Sequence, residues 1–181
     1  NYMRIFAKKN NILCFDHDPN IGGRFSIFSI TSLLPLISIG YSLPKIIKSF
    51  IEAKKLFEKN HRDLSKYTLY SIAYEKKFDL NILVGLSYHD KINAVNEWYR
   101  QIFAESLGKN KNAKNYISSY GSIDQHSQFQ LYIDGPYDKH FNFFKIKNNN
   151  KAVNSKVSLI KGYNLMSTLE NGAIKTLQQK K

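Results

Sequence analysis

The sequence predicts an α/β fold, a three-layer sandwich around a mainly parallel sheet. Three observations point there. Asn81-Ile82-Leu83-Val84-Gly85-Leu86-Ser87 is a short continuous apolar run of the kind found in a parallel strand covered on both faces. An amphipathic helix follows it and ends on Gly108. Further strand and helix patterns alternate beyond it with short connections. No internal repeat is visible, and the 181 residues fit a single domain, 1–181, that reads as part of a longer chain.

Taken in order, Ile12 to Phe15 is an apolar run between Lys8-Lys9-Asn10-Asn11 and Asp16-His17-Asp18-Pro19, and it reads as a strand leaving into a loop. Ile21-Gly22-Gly23-Arg24-Phe25-Ser26 then forms a turn, and Leu33-Leu34-Pro35-Leu36-Ile37 reads as a short buried helix. The stretch from Phe25 to Pro44 carries no charge, but Pro35, Gly40 and several Ser and Thr argue against a membrane span. Pro44 sits well for the first turn of a helix from Leu43 to Lys59, and a second helix is expected from Leu64 to Lys77.

After the strand at 81–87, Ser87 and Asp90 resemble a capping box. Ile92, Val95, Tyr99 and Ile102 recur at helical spacing, and Gly108 is expected to close the helix in a left-handed conformation. Ile117 to Tyr120 reads as another strand, and a helix is expected to start near Asp124 and run towards a turn at Asp134-Gly135-Pro136. Phe141 to Lys147 reads as a strand, Asn148 to Asn150 as a break, and a last helix begins near Asn164.

Composition excludes several classes. With 43% apolar and 14% aromatic residues the chain can fill a core. The formal charge of +13 is spread along the chain, mostly on lysines, in a sequence rich in Asn, Ile, Tyr and Phe. That pattern reads as compositional, with a small anionic ligand as a contributor, rather than as a nucleic-acid surface. The single cysteine, Cys14, cannot form an internal disulfide and reads as a small buried hydrophobe. With no segment like a signal peptide at the start, a cytoplasmic setting is expected. Asp16-His17-Asp18 and His89-Asp90 lack a spacing that closes a metal site, and no dinucleotide or Walker motif is present, so no metal or cofactor is expected.

Three short stretches carry chemistry. Glu105 lies in the last turn of its helix, facing the negative end of the macrodipole, which disfavours its charged form and suits a base. An i to i+4 pair with Lys109 would explain the same spacing. His126, placed near the start of a helix opened by Asp124, would feel the positive end, which favours a neutral imidazole able to exchange protons. A packing or capping histidine is the alternative. Gly22 and Gly23 let backbone approach a ligand, and Arg24 beside them offers a delocalised cation for a developing oxyanion. A tight turn with a surface arginine would leave the same letters.

Set side by side, these stretches resemble glucose-6-phosphate isomerase, of the sugar-isomerase (SIS) fold group. Ile21 to Ser26 looks like that family's Gly-Gly-Arg signature, followed by Leu33-Leu34-Pro35. Trp98-Tyr99-Arg100-Gln101 leading into Glu105-Ser106-Leu107-Gly108-Lys109 looks like the segment bearing the catalytic base, in its bacterial form. Asp124-Gln125-His126-Ser127-Gln128, with Asp134-Gly135-Pro136 behind it, is similar to the histidine segment. Pro19 and Ser32 depart mildly from the family pattern, and its Ser/Thr-rich phosphate loops and its C-terminal lysine signature have no counterpart here.

The resemblance implies a cofactor-independent aldose–ketose isomerase acting on a phosphorylated hexose through a cis-enediolate. Glu105 is then the base, Arg24 the charge stabiliser and His126 the ring opener, reaching a neighbouring site in a homodimer. Gly22, Gly23 and Gln125 would bind substrate. A sugar-phosphate-binding domain that has lost catalysis is the alternative, and a piece of this length alone is expected to be inactive.

Overall fold

The computed structural model describes residues 2–109, 111–146 and 162–179. It divides into two compact units, Asn1–Tyr67 and Thr68–Lys181. In the first, α1 (Tyr2–Lys9) leads into an extended segment, a 3-10 turn (Gly23–Phe28) and α2 (Ile30–Ser38). Helix α3 (Leu43–Lys77) begins in this unit and ends in the second. No helix of the described residues is long and apolar enough to cross a membrane.

Two expectations for the first unit need correction. Ile12 to Phe15 is not a strand. The chain leaves α1 through Asn11, which has a φ of 52°, and the Ile12 N–H returns to the Ala7 carbonyl at 2.8 Å, so the run has a helix end as its neighbour and, among the described residues, no strand to pair with. Cys14 is consequently exposed. Helix α2 forms around Pro35 but buries none of its residues fully.

The two helices expected at 43–59 and 64–77 are one helix of 35 residues. The intervening Asn60-His61-Arg62-Asp63 is polar but has no glycine or proline to break the ladder. Its side chains fold back on the helix, with Asn60 Nδ2 donating to the Leu56 carbonyl and His61 Nδ1 lying against the Glu58 carbonyl, both at 2.8 Å.

The second unit holds the sheet. Strands β1 (Ile82–Ser87), β2 (Asn115–Tyr120) and β3 (Lys139–Phe144) are parallel, in the order β2-β1-β3. The central strand is β1, and five of its six residues are buried, which is why its sequence is continuously apolar. Helix α4 (Asp90–Leu107) links β1 to β2 and packs on both. Helices α5 (Gly121–Ser127) and α6 (Phe129–Asp134) link β2 to β3. Helix α7 (Gly162–Gln179) packs against α5 and α6. Lys147 and Asn148 to Asn150, in the sequence reading the end of β3 and a break, lie outside the described residues.

Alternation along the strands builds three layers. Tyr116 and Tyr120 of β2 and Phe144 of β3 share the face that meets α4, where Tyr99 stacks edge-on against Tyr116 at 5.1 Å and Phe144 at 6.1 Å. Leu86, Phe141 and Phe143 share the other face. There Tyr132 of α6 meets Phe141 at 5.2 Å, and Leu86, Tyr88 and Ala173 form a core with Phe129, Phe143 and Leu169. Fully buried Asn96 of α4 ties the first face together. Its Nδ2 donates to the Gly85 carbonyl at 2.7 Å, and its Oδ1 accepts the Tyr116 hydroxyl at 2.5 Å.

Helix ends differ from the sequence reading. The N-cap of α4 is His89, and Ser87 Oγ instead donates to Asn93 Oδ1 at 2.5 Å. Gly108 closes α4 in a right-handed conformation, with φ −70° and ψ 18°.

Candidate active site

Helix α4 carries Glu97, Arg100 and Glu105 into an open cleft of about 870 Å³, lined by the second half of α4 and by the entry to β2 from Ala113 to Tyr116. Glu105 sits in the last turn of α4, as its sequence position predicts. It is exposed in the cleft, and one carboxylate oxygen accepts Gln101 Nε2 at 2.9 Å. The cleft lies at the amino end of β2, because α4 runs back against β1 and ends where β2 begins. In open parallel sheets ligands more often gather at the carboxyl ends of the strands.

A second carboxylate lines the same cleft two turns earlier. Glu97 accepts the Tyr120 hydroxyl and pairs with Arg100 at 2.6 Å. The Tyr120 hydrogen bond, joined by Ser118 and Arg100, outweighs partial burial and holds the Glu97 carboxyl below the usual range. Tyr120 is pushed up in return, chiefly by that same hydrogen bond.

Lys114 brings a cation to the floor of the cleft. Its ammonium lies 2.5 Å from Glu75 Oε2, and the other oxygen of Glu75 lies 2.6 Å from His140 Nδ1. Glu75 is 8% exposed. Burial pushes its carboxyl up, but the hydrogen bonds from Lys114 and His140 win and leave it lowered. This triad joins the end of α3, the entry to β2 and the second residue of β3. Nothing local in the sequence announces it, since its members are 39 and 65 residues apart.

His126 needs a correction. Helix α5 starts at Gly121, so His126 falls in its last turn and not its first, and the positive-end argument does not apply. Asp124 does not cap the helix from outside. It lies in the first turn, and its Oδ2 accepts the Tyr120 N–H at 2.6 Å. His126 is exposed, while half-buried Gln125 donates through Nε2 to the Leu169 carbonyl at 3.4 Å and so ties α5 to α7. Helix α5 packs with α6 and α7, whereas α4 covers the opposite face, so the fold of one chain places Glu105 and His126 on different faces of the sheet.

Gly22, Gly23 and Arg24 belong to the first unit. Gly22 is extended at φ −65° and ψ 150°, and a Cβ built on Gly23 would meet nothing within 4 Å. Neither glycine is demanded by the packing of the chain itself. Arg24 is the second residue of the 3-10 turn, half-buried, with its guanidinium carbon 5.1 Å from the centre of the Phe25 ring.

The second unit is a three-layer parallel α/β unit with a carboxylate at a helix end in an open cleft. No family model matches the chain. Among curated proteins it is 38% identical over 146 residues to glucose-6-phosphate isomerase of Methanocaldococcus jannaschii, covering 78% of this chain and 36% of that protein. It is 37% identical to glucose-6-phosphate isomerase of Campylobacter jejuni, over 78% of this chain and 35% of the relative. It is 32% identical to a probable glucose-6-phosphate isomerase of Methanococcus maripaludis, over 94% of this chain and 40% of the relative. By sequence, the chain is a homologue of the glucose-6-phosphate isomerases, and it spans 35–40% of the length of these three. A crystal structure of a hypothetical protein from Thermus thermophilus shares the fold, with a TM-score of 0.78 at 23% identity, over 98% of this chain and 46% of that one.

Proposed function

We propose that the chain carries the base-bearing part of an aldose–ketose isomerase that interconverts glucose 6-phosphate and fructose 6-phosphate through a cis-enediolate. The observation that carries the reading is Glu105, a carboxylate at the end of α4 in an open cleft, within a stretch homologous to these isomerases. From glucose 6-phosphate to fructose 6-phosphate, Glu105 removes the C2 proton and the C1 carbonyl oxygen gains the negative charge. The C2 hydroxyl proton passes to the C1 oxygen, moving the charge to the C2 oxygen, and the same carboxyl returns its proton to C1 as the C2 carbonyl forms. Gln101 orients the carboxylate by its hydrogen bond. Arg24 stabilises the enediolate charge as a delocalised cation. Gly22 and Gly23, which the chain's own packing does not require, keep backbone low enough for a ligand to approach.

His126 opens the sugar ring from a neighbouring copy in a homodimer. The separation of Glu105 and His126 on different faces of one sheet supports that arrangement, because a single chain does not assemble them. Gln125 completes the segment through its amide oxygen.

The test is turnover of fructose 6-phosphate by the chain as it stands and by the natural gene product, each with Glu105→Gln beside it. Loss of a general base costs about 10²–10⁴-fold. Turnover that survives Glu105→Gln removes the base assignment. Binding of the sugar phosphate without exchange of the C2 proton into solvent, in a folded natural product, would replace the isomerase by a sugar-phosphate-binding domain.

A further inference from the structure

We propose that Asp124 is the positioning residue for His126, fastening the short helix that carries the imidazole to the end of β2, with Ser127 as its partner on the far side of the histidine. The ring-opening role of His126 rests on the isomerase reading, whereas the mounting of its helix does not.

Helix α5 cannot fix a side chain by itself. It has seven residues, of which Gly121 alone is buried, and helices shorter than about 12–15 residues are marginal without tertiary support. Its place therefore depends on side-chain ties, and Asp124 supplies two from one carboxylate. Oδ2 accepts the Tyr120 N–H at 2.6 Å, and Oδ1 accepts the Ser127 hydroxyl at 2.9 Å. Tyr120 is the residue before the helix and Ser127 its last residue, so the carboxylate spans the helix from end to end. His126 lies between the carboxylate and its second contact in the chain. The tie from Gln125 to the Leu169 carbonyl is uncharged and longer, at 3.4 Å.

The point to which Asp124 fastens the helix is itself fixed. Tyr120 pairs with Ser87 at the carboxyl end of the sheet, and its hydroxyl donates to Glu97 of α4. Asp124 is half-buried, and a hydrogen bond to a charged acceptor is roughly twice as strong as a neutral one. Ring opening of fructose 6-phosphate breaks the bond between C2 and the ring oxygen. The ring oxygen gains a proton, and the anomeric hydroxyl loses one as the C2 carbonyl forms. An imidazole takes part only from hydrogen-bond distance, so a helix that rocks on its mount loses this step first. The same rocking leaves Glu105 in place, because α4 covers the opposite face of the sheet.

The test is exchange of the C1 proton of two ketoses with deuterated water, followed by NMR, in the natural gene product and its Asp124→Ala, Asp124→Asn and Ser127→Ala variants. One ketose is fructose 6-phosphate. The other is 5-deoxyfructose 6-phosphate, which has no hydroxyl with which to close a furanose and meets the base without ring opening. Relative to wild type on the same ketose, Asp124→Ala should slow fructose 6-phosphate by roughly tenfold to a hundredfold and leave the open-chain analogue within about twofold. Asp124→Asn should restore most of the loss, since its amide oxygen can accept the Tyr120 N–H and its amide nitrogen can donate to the Ser127 hydroxyl oxygen. Ser127→Ala removes one exposed contact and should show a smaller loss with the same selectivity; if Asp124→Ala does not fold, that selectivity decides. Equal losses for the two ketoses overturn the positioning role and mark a structural one, and unchanged exchange of both overturns it too. A wild type that exchanges neither ketose removes the isomerase reading and the proposal with it. Wild-type exchange that is lost in Glu105→Gln keeps that reading whatever the Asp124 variants show.

Discussion

Replacing Gly85 by alanine should unfold the site from beneath. Gly85 lies mid-way along the central strand, and Tyr116, paired with Leu83 on the neighbouring strand, reaches along the same face to cover it. A Cβ at position 85 would stand 1.8 Å from the Tyr116 hydroxyl oxygen and 2.5 Å from Asn96 Oδ1. Both groups must move. Neither is a free side-chain end, because Asn96 is fully buried and the Tyr116 ring is packed by Tyr99 at 5.1 Å and Phe103 at 5.6 Å. Overpacking costs about 1–3 kcal/mol and each strained buried hydrogen bond roughly 1 kcal/mol, so Gly85→Ala should destabilise by on the order of 3 kcal/mol. Tyr116→Phe alone leaves Asn96 Oδ1 without its donor and should cost about 1–2 kcal/mol. In the double variant the closest contact disappears while the ring carbon at 2.7 Å remains, so the two losses should be less than additive by roughly 1 kcal/mol. Urea unfolding followed by the fluorescence of Trp98, the single tryptophan, gives the midpoints, with the slope unchanged. A Gly85→Ala protein within about 0.5 kcal/mol of wild type, or strict additivity, would refute the close approach of these three residues.

Two further outcomes follow from the ionisable groups. The Glu75 carboxyl is lowered in the folded chain, so its stabilisation is complete above its ordinary value near 4.5 and is lost as pH falls through the lower folded value. Glu75→Gln should therefore cost about 2–3 kcal/mol at neutral pH, and the gap to wild type should close on acidification, read from melting temperatures between neutral and acid pH. A constant gap would mean that packing, and not charge, is what Glu75 contributes. Tyr88 is the opposite case, pushed up to about 12 by burial and then by Glu170. Its neutral form is intact below pH 10, the ordinary phenol value, and its contribution is lost as pH rises towards 12. Its hydroxyl is buried with no hydrogen-bond partner among the described residues, so Tyr88→Phe should be close to neutral at pH 7 and should flatten the alkaline loss of stability. An alkaline profile identical to wild type would place that loss elsewhere.

How legible each part was depended on whether its cause was local. Strand β1 and helix α4 were readable because burial on both faces and burial on one face leave different hydrophobic patterns. The false strand at Ile12 to Phe15 has the same composition as a real one and differs only in having no neighbour to pair with, which no local pattern records. Polarity at Asn60 to Asp63 looked like a loop, yet without glycine or proline the helix ran on through it. The acidic residues misled in one consistent way. Asp90 and Asp124 both mark helix starts by residue type, and both do lie in first turns, but Asp124 reaches back to the backbone instead of standing outside the helix. That displacement moved His126 from the start of α5 to its end.

Glu97 and Glu105 show why position alone could nominate a base but not discriminate between carboxylates. They are the same residue type, on one helix, lining one cleft, eight positions apart. Glu97 lies where Tyr120 and Ser118 come across from β2 and where Arg100 follows one turn later, so its charge is stabilised and its proton affinity lowered. A carboxylate so held is poorly matched to abstracting a proton from carbon. Glu105 lies eight residues on, in the last turn of the helix, and accepts Gln101 Nε2 at 2.9 Å. The difference at Glu97 is set by β2, whose alternate residues Ser118 and Tyr120 reach it. The sequence motif marks the helix end. The sheet, through side chains some twenty residues further on, sets Glu97 apart from Glu105, the carboxylate proposed above as the base.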